Sequence, residues 1–133
     1  MQFRVYTEQD EPTLRTMLAE EGIPVMLMQH DNPLLDTVVM EDKGNPVGFY
    51  SWNDQHGRAA LIHYIVDRGH RSNQKARALI KHFITIITRL GYTGILVAIP
   101  NTNVKLFNFV KYYFKNPWVY KIEGPLMFVR AEV

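Results

Sequence analysis

The stretch that most constrains the fold runs from Leu61 to Leu90. An apolar, largely β-branched run, Leu61 to Val66, ends in a basic polar loop, and a long amphipathic pattern follows. Ala76, Leu79, Ile80, Phe83, Ile87 and Leu90 recur at helical spacing, which predicts one buried helix face. A strand, a loop and a helix start, in that order, present free backbone N–H groups to an anion. Arg68, His70, Arg71, Lys75 and Arg77 crowd around the same junction. They read either as a phosphate-binding loop or as a solvated basic face.

The rest of the chain supplies partners for this junction. Phe3 to Tyr6 alternates and reads as a first strand. Thr7 reads as an N-cap with Glu8 and Asp10 behind it, and a helix is expected over about 9–21, closed by Gly22 and Pro24. A short second helix is expected around Val25–Met28. Strands are expected at Asp36–Asp42, Pro46–Asn53 and Arg58–Val66, joined by the turns Lys43-Gly44-Asn45 and Gln55-His56-Gly57. Gly48, inside the second of these, leaves room for a close neighbour or a bulge. After the long helix come a strand at Tyr92–Ile99, a helix at Val104–Phe114 and two short strands at Trp118–Ile122 and Leu126–Arg130, with Asn116-Pro117 breaking the helix. Linkers, repeats and low-complexity segments are not evident, so a single domain over residues 1–133 is expected.

Composition narrows the chemistry. The chain has no cysteine, which excludes disulfides, a thiol nucleophile and a thiolate zinc site. His30, Asp31 and His56 are too scattered to argue a metal site. A formal charge of +2 makes no whole-protein case for nucleic acid. There is no apolar run near the ~20 residues of a membrane span, and the N-terminus lacks the pattern of a signal peptide. The expectation is a protein that stays in the cytoplasm where it is made, without membrane contact.

The predicted order is β-α-(α)-βββ-α-β-α-ββ, and with it the chain resembles the GNAT acetyltransferase family over nearly its whole length. Phe3–Asp10 resembles that family's first strand and helix start, Asn45–Phe49 its third strand with its glycine, and Ile65-Val66-Asp67 with Arg71 and Ala76 its acyl-CoA motif. Asn103, followed by an apolar helix, resembles its last helix. The resemblance implies an α+β acetyltransferase-like fold. Its centre is a mixed, mostly antiparallel sheet of six to seven strands, flanked by about four helices. It also implies that Val66, Arg71, Ser72, Asn73, Gln74, Lys75, Ala76 and Asn103 are the positions that would hold coenzyme A. The family's loop motif is Arg/Gln-x-x-Gly-x-Gly/Ala. Here Arg71 and Ala76 match, and Gln74 stands at the central glycine.

Two other positions depart from the family. Many members carry a tyrosine seven residues after the asparagine as general acid, and that position here is Val110. Tyr112 and Tyr113 point elsewhere at 3.6 residues per turn. A glutamate of the fourth strand often serves as general base; the imidazole inside that strand, His63, is the candidate here, against the alternative of a core histidine. Tyr112, Tyr113, Phe114, Trp118 and Tyr120, interleaved with Lys111 and Lys115, read as cover for the sheet, as a protein-partner surface or as a base-stacking platform, in that order.

The chain is also similar in size and altered motif to small head-assembly proteins of short-tailed bacteriophages. That similarity, with the lost glycine and tyrosine, implies a non-catalytic or weakly catalytic protein acting through protein contacts, in the host cytoplasm or virion, without a required cofactor. The alternative is an acetyl-CoA-dependent N-acetyltransferase acting on an amine. Fold alone decides neither.

Overall fold

The structure is a computed structural model, and it describes residues 1–22 and 35–133. Seven strands and three α-helices are found there: β1 (Gln2–Val5), α1 (Glu11–Glu20), β2 (Asp36–Asp42), β3 (Asn45–Gln55), β4 (Arg58–Val66), α2 (Asn73–Arg89), β5 (Gly94–Pro100), α3 (Val104–Tyr113), β6 (Lys115–Glu123) and β7 (Leu126–Glu132). Short 3-10 turns at Glu8–Asp10 and Arg68–His70 precede α1 and α2. The strands form one mixed sheet in the order β1-β2-β3-β4-β5-β7-β6. The β1–β2, β2–β3, β5–β7 and β6–β7 pairs are antiparallel and β4–β5 is parallel. This is the expected α+β architecture. The short helix expected at Val25–Met28, and His30-Asp31, lie outside the described residues.

The chain divides into two compact units, Met1–Asn53 with His63–Phe83, and Asp54–Ile62 with Ile84–Val133. In the first, β3 is buried on both faces, which is why Val47–Trp52 reads as an almost unbroken apolar run. Phe49 joins Tyr6, Leu14, Met17, Leu18, Val39 and Ile65 in the core beneath α1. Its neighbour Tyr50 points the other way, edge-on to Phe83 of α2 at 5.4 Å, with Trp52 and Phe83 at 6.4 Å. The entry to α1 is fixed by charge. Asp10 accepts two 2.7 Å bonds from Arg4 and the Thr7 N–H at 2.8 Å. The Arg4 guanidinium holds the Asp10 carboxyl below its ordinary range.

Gly48 performs the predicted role. A Cβ there would lie 2.8 Å from the Ile65 carbonyl oxygen and 3.4 Å from the Val66 Cα. The absent side chain lets β3 and the end of β4 approach closely, and the β2–β3 register slips opposite it between Met40 and Glu41.

In the second unit, the β5–β7 register pairs Ile95 with Ala131 and Val97 with Val129 on a buried face, and Leu96 with Arg130 and Ala98 with Phe128 on the opposite, more exposed face. Here the β4–β5 ladder covers Ala59–Leu61 and Ile95–Val97. Both strands continue past it.

Three boundary expectations are corrected. Leu90, placed on the buried stripe of the long helix, is exposed, because α2 ends at Arg89 and turns at Gly91. α1 starts at Glu11 because the turn Glu8–Asp10 precedes it. α3 already ends at Tyr113, with Phe114 extended, and Asn116-Pro117 lies inside β6: Asn116 takes φ 52°, the register slips between Lys115 and Trp118, and the edge strand tolerates the proline.

Candidate functional site

The segment Val66–Ala76 is one continuous strand–loop–helix junction in the first unit. Val66 is the last, buried residue of β4. The Asp67 N–H donates to Val47 O at 2.8 Å, holding the end of β4 against β3, and the His70 N–H closes the 3-10 turn on Asp67 O at 2.9 Å. Arg71 then extends away from that turn, its Nε donating to Val66 O at 3.2 Å. Ser72 caps α2: its Oγ accepts the Lys75 N–H and its carbonyl the Ala76 N–H, both at 3.1 Å. Tyr64, from β4, donates its hydroxyl to the Ala76 carbonyl and ties the first turn of the helix to the strand.

The cap takes one of the helix's unpaired donors and leaves the N–H groups of Asn73 and Gln74 without an acceptor in the helix. Ser72, Asn73 and Gln74 are all exposed. Gln74 occupies the second residue of α2, where helical backbone suits any side chain. Arg68, His70, Arg71 and Arg77 surround this end and are exposed, with Lys75 half-buried. Among the described residues, Lys75 and Arg77 pair with no acidic side chain. Arg68 and Arg71 share a partner that sequence reading missed: Oε1 of Glu21, at the end of α1, accepts from both, at 3.2 Å from Arg68 Nε. Its only sequence signal is a sign opposite to the loop.

His63 lies on β4, buried, with its ring 5.9 Å from that of Phe49. Its Nδ1 has no hydrogen-bond partner. Burial drives its pKa down to about 4, so the ring is neutral near pH 7. A base that weak does not extract a proton from an alkylammonium group efficiently. The position fits a core histidine.

Asn103, in the second unit, caps α3 through its Oδ1, which accepts the Leu106 N–H at 3.0 Å. Val110 is buried in that helix, whereas Tyr112 is 80% exposed. The aromatic run resolves into one buried ring, Phe114, and a surface patch: Trp118 and Tyr120 stand exposed on the edge strand β6, with the Arg130 guanidinium 5.6 Å and 5.8 Å from their ring centres. No group of three or more His, Asp or Glu side chains suited to a metal ion occurs among the described residues. Nor is any helix there long and apolar enough to cross a membrane.

Comparison with known proteins bears on the fold. The PaiA N-acetyltransferase of Thermoplasma acidophilum, solved in complex with coenzyme A, superposes with a TM-score of 0.77 at 11% identity, covering 100% of both chains. The ribosomal-protein-alanine N-acetyltransferase of Brucella melitensis gives 0.75 at 14% identity, again over 100% of both chains. An N-acetyltransferase of Staphylococcus aureus gives 0.72 at 16% identity, covering 99% of this chain and 96% of its own. No curated protein sequence matches the chain. The likeness to phage head-assembly proteins finds no support in these relatives. The model of the acetyltransferase (GNAT) family matches residues 3–112, most of the chain, from β1 into α3. With that match and the seven-stranded mixed sheet in place, the protein belongs to the acetyltransferase (GNAT) family.

Proposed function

We propose that this protein is an acetyl-CoA-dependent N-acetyltransferase, with Val66–Ala76 holding the phosphates of the cofactor. The observation that carries the reading is the start of α2. Two backbone N–H groups, at Asn73 and Gln74, lie free beyond the Ser72 cap, at the positive end of a helix dipole and among exposed guanidinium groups. That donor set suits a pyrophosphate, and the coenzyme A complex of the PaiA relative makes this ligand the first to test. Asn103, in the second unit, keeps its side-chain amide donors after capping α3.

Bound acetyl-CoA supplies an activated thioester, whose acetyl group passes to an amine nitrogen as the amine gives up a proton and the sulfur leaves as a thiol. The chain's own contribution is to hold the reactants. His63 is too weak a base and Val110 carries no proton. The rate therefore rises with pH as the amine itself deprotonates, with no inflection from a protein group near pH 6–7.

Calorimetric titration with acetyl-CoA up to about millimolar concentration tests the cofactor half; saturable one-to-one binding is expected, and its absence overturns the reading. Release of free thiol in the presence of a panel of amines, above the protein-free rate, tests the transfer half. The Trp118–Tyr120–Arg130 patch favours a second reading, a non-catalytic member that works through a protein partner. Binding of acetyl-CoA without thiol release on any amine would point there.

A further inference from the structure

Glu21 ends α1, where the helix dipole is negative and a carboxylate is poorly placed. Two guanidiniums compensate it. Its Oε1 accepts from Arg68 Nε at 3.2 Å and from Arg71 Nη2, while Arg71 Nε is held by Val66 O at 3.2 Å. The two arginines lie about 50 residues further along the chain, so the contact ties the end of α1 to the loop that leads into α2. Without a shared anion, two like charges this close repel and splay.

We propose that Glu21 is a positioning residue for the phosphate-bearing end of the cofactor, gathering Arg68 and Arg71 beside the start of α2. This rests on the reading of Val66–Ala76 as a phosphate site. A guanidinium carries five N–H donors in a rigid fork. Arg71 has committed two and Arg68 one, so most of their donors remain for an anion. Both side chains are at least half exposed, at 50% and 59%, whereas Glu21 is 20% exposed. The less exposed member thus orients the more exposed ones. Preorganised donors bind an anion more tightly than free ones, because less side-chain freedom is lost on binding.

Removing Glu21 has two opposed consequences, and their signs differ. Loss of a negative charge would tighten the binding of an anion; loss of orientation would weaken it. The proposal says that orientation wins. Calorimetry with coenzyme A at about 0.1 M salt is expected to give a Kd roughly tenfold higher for Glu21→Ala, with most of the affinity restored in Glu21→Asp. In an Arg71→Ala background the same Glu21→Ala change is expected to cost less than about threefold, because its main partner is gone. A general structural role would cost the same in both backgrounds. Equal or tighter binding by Glu21→Ala overturns the proposal, and so does an undiminished effect in the Arg71→Ala background. A wild-type protein that binds no coenzyme A brings down the proposed function itself. A wild type that binds, beside a Glu21→Ala variant that binds equally well, brings down the role of Glu21 alone.

Discussion

At the start of α2 the atoms that matter belong to the main chain; along α3 they would have to belong to a side chain. The difference separates donors that a substitution leaves in place from a donor that it removes. Ser72 still caps α2, and the N–H groups of Asn73 and Gln74 stay free whatever their side chains are. Asn103 likewise still caps α3 through Leu106. Yet the buried Val110 offers no proton at all, and no backbone geometry substitutes for a missing phenol. Chemistry lodged in the backbone survives changes of sequence that erase chemistry lodged in a hydroxyl.

Gly48→Val would give the largest effect on the α2 side of this contrast. Its side chain would meet main-chain atoms of Ile65 and Val66 that cannot rotate away. A loss of about 3 kcal/mol or more is expected in urea unfolding, because the strand that leads to the loop must shift.

His63 is the other side-chain candidate for proton chemistry, and pH separates its roles. Its folded pKa is depressed to about 4 from an ordinary 6.5. The unfolded chain therefore binds more protons between these values. The contribution of the neutral ring is complete above pH 6.5 and is lost as pH falls toward 4. Replacing it in His63→Leu should flatten that loss by roughly 2–3 kcal/mol at pH 4.5 relative to wild type, with acetyl transfer at pH 7.5 retained. A large fall in transfer at constant stability would make His63 catalytic.

Val110→Tyr would test α3 directly. The site is packed, so a phenol there is expected to cost about 2 kcal/mol in thermal unfolding and to leave transfer no faster. A rise in transfer rate would show that α3 lacks only the hydroxyl.

Asn73→Pro would attack α2 with little damage to the fold. Proline is well tolerated at the first position of a helix, where its missing N–H has no partner in the helix. One of the two free donors disappears, and the Kd for coenzyme A should rise about tenfold. Gln74→Gly restores the family's glycine and should change that Kd by less than about threefold, as expected for an exposed side chain.

The elements were legible in the sequence because their signals are local. The alternation of Phe3–Tyr6, the apolar run of β3 and the stripe from Leu79 to Ile87 each record which face is buried. Glu21 was not legible, since its partners lie far along the chain and no local pattern records such a contact. Leu90 was misplaced because a periodic stripe does not say where the helix stops. Asn116-Pro117 read as a helix breaker because a bulged edge strand and a helix end share the same residues. The neutrality of His63 depends on packing against Phe49 and on burial, which a lone histidine in a strand does not reveal.

The central claim is that main-chain donors at the start of α2 bind the cofactor's phosphates. Amide chemical-shift mapping of the labelled wild-type protein during titration with coenzyme A tests it most directly. The account predicts that the largest saturable shifts fall on the backbone N–H groups of Asn73 and Gln74, following the same binding curve as calorimetry. Saturable binding that leaves those two amides unmoved would contradict it.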